Sequence, residues 1–199
     1  LYGIGKQYDN FININLAYGI GSGIIINSQP FFGSEGFAGE LGHIVVDQKS
    51  DREGRENIKG TLEALASGYG ITELALELLK KGKKSSLGEI PSEQLNIEAI
   101  IEAASAGDKL AIELIDKAAD HVGIGIDIMI KLFNPEAITL SGELVENGDY
   151  FLKKVKEKVA SITLPIYQPK IPILISSFGE EASLMGAFSL ILQKILRME

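Results

Sequence analysis

The stretch Phe11-Ile12-Asn13-Ile14-Asn15-Leu16-Ala17-Tyr18-Gly19-Ile20-Gly21-Ser22-Gly23-Ile24-Ile25-Ile26-Asn27 decides the fold. Apolar and polar residues alternate over 11–17, the period of a strand with one buried face. Tyr18-Gly19-Ile20-Gly21 reads as a turn. Residues 22–27 read as a second strand, whose β-branched run suits a buried sheet. Two strands around a short glycine turn predict a β-hairpin. Gly19-x-Gly21-x-Gly23 is not the dinucleotide fingerprint, because that motif needs a helix N-terminus after the turn and here a strand follows. The amides of a hairpin turn are instead free to approach a phosphate or a sugar. By itself the pattern is weak, since glycine-rich hairpins are usually structural.

Outward from the hairpin, 30–43 is a glycine-rich loop carrying Glu35, Glu40 and His43, and Leu41 to Asp47 reads as a third strand. Residues 48–60 are polar and read as a loop. Thr61 is an N-cap for a helix beginning Leu62-Glu63-Ala64-Leu65, and a second helix, Ile71 to Lys81, stops at Gly82. After a polar linker at 82–96, Asn96 caps a short helix over 97–105. Asp108 opens the longest periodic segment, which Asn134-Pro135 stops. Gly123 and Gly125 inside it predict close packing against a sheet. Ala137 to Leu140 reads as a strand, Tyr150 to Ser161 as a helix, Ile171 to Ser176 as a strand and Glu180 to Leu196 as a final apolar helix. Strands alternating with helices in the second half predict parallel pairing in an α/β fold.

Composition narrows the function. The 199 residues suffice for one domain, and 45% hydrophobic with 23% charged residues excludes a disordered or fibrous chain. A net charge of -8 disfavours binding to nucleic acid or an anionic membrane. The absence of cysteine excludes disulfides, thiolate metal sites and a cysteine nucleophile, and fits a reducing cytoplasm. No apolar run approaches the roughly 20 residues of a membrane helix. Leu1-Tyr2-Gly3-Ile4-Gly5-Lys6 shows no basic stretch followed by an apolar one, as a signal peptide would, and no initiator Met, so the chain reads as a fragment.

Residues 33–43 read Gly33-x-x-Gly36-x-Ala38-Gly39-Glu40-Leu41-Gly42-His43. With Leu16-Ala17-Tyr18-Gly19-Ile20-Gly21-Ser22-Gly23, this closely resembles the signature of the ROK family of bacterial sugar kinases and sugar-responsive repressors. Gly60-Thr61-Leu62-Glu63 stands where that family has Gly-Cys-x-Glu. Asn134-Pro135 before Ser141-Gly142-Glu143, and Gly179 to Ala187, resemble its later segments. The resemblance spans nearly the whole chain. It implies an actin-like ATPase (ribonuclease H-like) fold, with a mixed sheet flanked by helices. It further implies a single C-terminal domain over 1–199, with the N-terminal lobe absent. By the same resemblance, Gly19, Gly33, Glu40, His43 and Glu63 line a monosaccharide pocket, while Tyr18, Gly21 and Gly142 are remnants of nucleotide loops.

Three departures shape the expected function. The family's kinases take the substrate proton with an Asp of an Asn-Asp element that lies upstream of Leu1. Asp9-Asn10 is a reversed echo of it and reads as a turn. Members commonly hold zinc with the motif His and three Cys, but the aligned positions here are Gly54, Glu56 and Thr61, so no metal is expected. The kinases have Thr where Tyr18 stands and Gly where Glu143 stands, and both changes disfavour nucleotide. Tyr18-Gly19-Ile20-Gly21 is more similar to the repressors, of the xylose-repressor type, than to the kinases. The expected function is therefore the sugar-sensing and dimerising domain of a ROK-type transcriptional regulator. It would use no cofactor and meet DNA only through an absent N-terminal domain. The alternative is the large lobe of an ATP-dependent sugar kinase for a hexose or N-acetylhexosamine. His121 reads as a packed or half-exposed structural residue, and Lys80-Lys81-Gly82-Lys83-Lys84 as a solvated helix end. The apolar helix at 180–196 is expected in a homodimer contact or over a sheet edge.

Overall fold

The computed structural model describes residues 3–55, 57–146, 149–167 and 170–177. The hairpin is present as β1 (Phe11–Leu16) and β2 (Ile20–Ile26), antiparallel from Phe11↔Ile25 to Leu16↔Ile20. A two-residue strand, β3 (Gln29–Pro30), extends it beyond β2. On its other edge β1 pairs in parallel with β4 (Ala137–Ser141), and β4 pairs in parallel with β5 (Ile173–Ile175). The mixed sheet runs β3-β2-β1-β4-β5.

The alternation in β1 sorts its two faces. Ile12, Ile14 and Leu16 are buried with Ile138 and Leu140 of β4. They join one core with residues of α1 (Leu62–Ala66) and α4 (Lys109–Phe133), among them Leu62, Ile126 and Ile130. Each such fully buried side chain contributes roughly 1.5–3 kcal/mol. The opposite face carries a polar ladder. The Thr139 hydroxyl donates to Asn13 Oδ1 at 2.9 Å, and the Ser141 hydroxyl donates to Asn15 Oδ1 at 3.1 Å.

Helix starts follow their capping side chains. Thr61 Oγ1 accepts the Ala64 amide at 3.2 Å, Asn96 Oδ1 accepts the Ala99 amide at 3.0 Å at the start of α3 (Ile97–Ser105), and Asp108 Oδ1 accepts the amides of Leu110 and Ala111 at the start of α4. Asn134 closes α4 in the left-handed conformation, φ 44°. Beyond β4 come α5 (Glu143–Glu146) and α6 (Asp149–Ile162), the latter packed along α4. The linker at 82–96 contains a short 3-10 turn, Ser86–Glu89, whose Leu87 is fully buried.

Three sequence expectations are corrected. Residues 41–47 do not form a strand. Leu41–His43 is a 3-10 turn, followed by one isolated bridge, Val45↔Thr61. The glycines explain it: a Cβ at Gly39 or Gly42 would collide with the carbonyl of Ser22 or Ile20, so the segment crosses over β2 instead of pairing beside it. The second helix, α2, begins earlier than expected and spans Gly68–Lys80. Ser67 ends α1 and caps α2 by accepting the Gly70 amide at 3.0 Å. Gly123 and Gly125 pack against helices, not the sheet: a Cβ there would meet Lys158 of α6 and Leu62 of α1 respectively. The apolar helix expected at 180–196 lies outside the described residues.

Candidate functional site

Turn 17–19 and Gly142 sit at the carboxyl ends of β1 and β4, which are parallel neighbours. Such strand ends are where ligands of open α/β sheets gather. Gly142 adopts φ +97°, and a Cβ there would crowd the Leu16 carbonyl and Asn15 Oδ1, which fixes its place beside the end of β1. Its amide donates to Glu146 Oε1 at 3.0 Å.

Glu63 reaches this edge from the first turn of α1. Its Oε2 accepts the Ile20 amide at 3.1 Å, and it stands 2.9 Å from where a Gly19 Cβ would be. Glu63 is half-buried, and among the described residues no hydrogen bond takes its second oxygen, which can accept from another donor. The loop after β3 comes back to the same edge. Ser22 donates through its hydroxyl to the Gly39 carbonyl at 2.6 Å. Gly42, between Glu40 and His43, lies against both Ile20 and the Cβ of Glu63.

Glu40 and His43 point outward, with side chains 61% and 40% exposed and His43 Nε2 3.6 Å from Glu40 Oε2. Among the described residues neither side chain hydrogen-bonds the loop backbone, so both retain polar groups for a hydroxylated ligand. The structure thus brings Gly19, Glu63 and the Glu40–His43 turn to one end of the hairpin. Gly33 (φ +72°) packs on Ala38 in the exposed outer part of the loop, and the space above Gly21 on β2 is open.

Tyr18 is 58% exposed at the lip of the turn. Its ring lies 5.6 Å from the Tyr69 ring, and the Arg55 guanidinium sits 5.6 Å over its face. The amide of Tyr69 donates to the Tyr18 carbonyl at 3.1 Å, and that of Gly68 to the Ala17 carbonyl at 2.8 Å, tying the start of α2 to the turn. Sequence reasoning missed Tyr69, Arg52 and Arg55, which no periodicity or motif marks.

The donor set does not fit tetrahedral zinc. Gly54 and Thr61 are spatial neighbours, with 3.3 Å between the Gly54 Cβ position and Thr61 Oγ1, but neither offers a thiolate. Among the described residues no three His, Asp or Glu side chains converge on a metal position. His121 is half-buried on α4, and burial lowers its pKa more than Asp47 and Asp120 raise it. Among the described residues no helix is long and apolar enough to cross a membrane.

The mixed sheet in the order β3-β2-β1-β4-β5 with its flanking helices is the arrangement of the actin-like ATPase fold. The ROK family model matches residues 1–194, and the chain belongs to the ROK family. It is 33% identical over 195 residues to the DNA-binding transcriptional dual regulator NagC of Escherichia coli (strain K12), covering 98% of this chain and 47% of NagC. It is 31% identical over 199 residues to a glucokinase of Halalkalibacterium halodurans, covering 99% of this chain and 60% of that enzyme. A solved ROK family transcriptional regulator, homolog of the E. coli MLC protein, superposes with a TM-score of 0.80 at 30% identity, over 91% of this chain and 45% of that one. The chain therefore spans about half the length of these regulators. Regulators and sugar kinases are both near relatives.

Proposed function

We propose that this chain is the sugar-sensing and dimerising domain, a single unit over 1–199, of a cytoplasmic ROK-type transcriptional regulator. Glu40, His43 and Glu63, with the backbone at Gly19 and Gly33, hold a monosaccharide effector. Carboxylates and imidazole paired to sugar hydroxyls discriminate against analogues that lack them, because a missing hydroxyl leaves a polar group unpaired. DNA is met through a separate N-terminal domain.

The observation that carries the regulator reading is Tyr18. Where the family's kinases are expected to have Thr beside the nucleotide phosphates, this chain has an aromatic ring already occupied by Tyr69 and Arg55. Two further features support it: the Gly142 amide is taken by Glu146, and Glu143 adds a carboxylate where the kinases have Gly. A kinase reading draws support from the glucokinase likeness, over 60% of that enzyme.

Full-length protein decides between them. Calorimetry with N-acetylglucosamine, glucose and xylose is expected to find one binder, lost in the Glu40→Ala, Glu63→Ala double variant. Sugar-dependent ADP release from MgATP is expected to stay at the level of that variant. Turnover clearly above it would establish the kinase instead.

A further inference from the structure

The chain between His43 and Glu63 is a closed ribbon. Its base is the Val45↔Thr61 bridge, with the Leu62 amide donating to the Ile44 carbonyl at 2.9 Å and the Val46 amide to the Gly60 carbonyl at 2.9 Å. Higher up, the Gly60 amide donates to the Arg52 carbonyl at 2.9 Å, and Glu53 bridges Lys59. Gly60 has φ +69°, and a Cβ there would overlap the Asp47 carbonyl, so the closure requires glycine. Such a ribbon has little core of its own, and its position is set by what it is fastened to.

Arg52 fastens it to α2. Its side chain is 22% exposed; Nη2 donates to the Gly70 carbonyl at 3.0 Å and Nη1 donates to Glu77 Oε2 at 3.1 Å. The Gly70 carbonyl belongs to the first turn of α2, the turn tied through Gly68 and Tyr69 to Ala17 and Tyr18. A planar guanidinium holding a carbonyl and a carboxylate at once fixes orientation as well as distance. Arg55, on the same ribbon, stacks on Tyr18. Both arginines therefore lead from the ribbon to the glycine turn, and the ribbon's two ends carry His43 and Glu63.

We infer that the ribbon is the positioning element of the site and Arg52 its pin. Arg52 acts through its bonds to Gly70 and Glu77 and so sets where Glu63 and His43 stand relative to the Ile20 amide and the Gly19 turn. The inference rests on the sugar-site reading above for its effect on affinity. Its effect on the Glu63–Ile20 hydrogen bond does not.

The test uses full-length protein with 15N-isoleucine labelling, and N-acetylglucosamine, glucose and xylose as probes. In Arg52→Met the Ile20 amide resonance is expected to move and its exchange with solvent to quicken, while affinity for the bound sugar falls at least tenfold. Arg52→Lys should fall between the two. An unmoved Ile20 amide with unchanged affinity in Arg52→Met overturns the inference, even where Glu63→Ala abolishes binding and the site itself stands. Unchanged affinity in Glu63→Ala overturns the site reading, and the Ile20 resonance then tests the ribbon alone. Should Arg52→Met not fold, Glu77→Gln, which leaves the bond to Gly70 in place, replaces it: a shifted Ile20 amide with weakened binding supports the pin, and no change in either overturns it.

Discussion

The carboxylate of Glu63 accepts the amide proton of Ile20 at 3.1 Å, joining the first turn of a helix to the turn of a hairpin 43 residues earlier. This bond explains why residue 19 is glycine. A Cβ there would lie 2.9 Å from Glu63 Oε2, the far end of a flexible side chain. In Gly19→Ala the carboxylate is therefore expected to swing aside at modest cost. Its melting temperature should stay within a few degrees of wild type while sugar affinity in the full-length protein drops at least tenfold. Calorimetric binding alongside thermal unfolding checks both halves, and unimpaired binding contradicts the assignment of Glu63.

The two glycines of α4 should both resist alanine. At Gly123 the new methyl would lie 2.5 and 2.7 Å from Cγ and Cβ of Lys158, the root of that side chain, so α6 itself must shift, against a helix-propensity gain of at most about 1 kcal/mol. At Gly125 it meets Leu62, which is fully buried and has nowhere to go. Overpacking of that kind costs about 1–3 kcal/mol. Urea unfolding should find both Gly123→Ala and Gly125→Ala destabilised, and a stabilised Gly123→Ala would mean that α6 yields freely.

Asp108 gathers donors from two segments. Its carboxylate accepts from Ser85, from the Ser86 amide and hydroxyl, and from the amides of Leu110 and Ala111. Burial pushes its pKa up, but hydrogen bonds from Ala111 and Ser86, then from the Ser85 and Ser86 hydroxyls, hold it down at about 2. A folded pKa below the unfolded value means the stabilisation is complete above pH 4 and is lost as pH falls toward 2. Asp108→Ala should lose about 0.5–2 kcal/mol at neutral pH, as a broken helix cap does. Its stability should also fall less steeply than wild type between pH 4 and 2. Denaturant titrations across that range measure both.

His121 works at a higher pH. Burial lowers its pKa below the ordinary 6.5, against the pull of Asp47 and Asp120 and with the help of Lys158. The unfolded chain then binds a proton more readily than the folded one, so stability is full above about pH 6.5 and declines as pH falls below it. His121→Gln should flatten the melting-temperature profile between pH 7.5 and 5. An unchanged slope would assign the decline to other groups.

Features decided by neighbours in sequence were legible from the residues alone. Thr61, Asn96 and Asp108 cap helices because a short oxygen-bearing side chain meets an amide two or three residues on. The hairpin follows from alternation and glycine placement, whereas Glu40, His43 and Glu63 are marked only by the resemblance to the ROK signature. What escaped was set by distant parts of the chain. Residues 41–47 carry enough apolar character for a strand, yet Gly39 and Gly42 let them lie across β2. Arg52 looks like any charge in a polar loop until Gly70 and Glu77 arrive beside it. The same holds for Arg55 and Tyr69, whose meeting with Tyr18 needs the whole ribbon in place.

The central place of β1 has a consequence for synthesis on the ribosome. Its antiparallel partner β2 follows within a few residues, but its parallel partner β4 begins only at Ala137. At about 5–20 residues per second, the hairpin leaves the ribosome roughly 6–22 s before that partner does. Through that interval β1 shows one bare row of amides and carbonyls, an edge open to pairing with another nascent chain. The polar ladder of Asn13 and Asn15, which pairs with Thr139 and Ser141 once β4 arrives, keeps one face of the waiting strand hydrated. Replacing those asparagines with valine should leave the buried Thr139 and Ser141 hydroxyls without these acceptors in a less stable finished sheet and, before that, a nascent chain that aggregates.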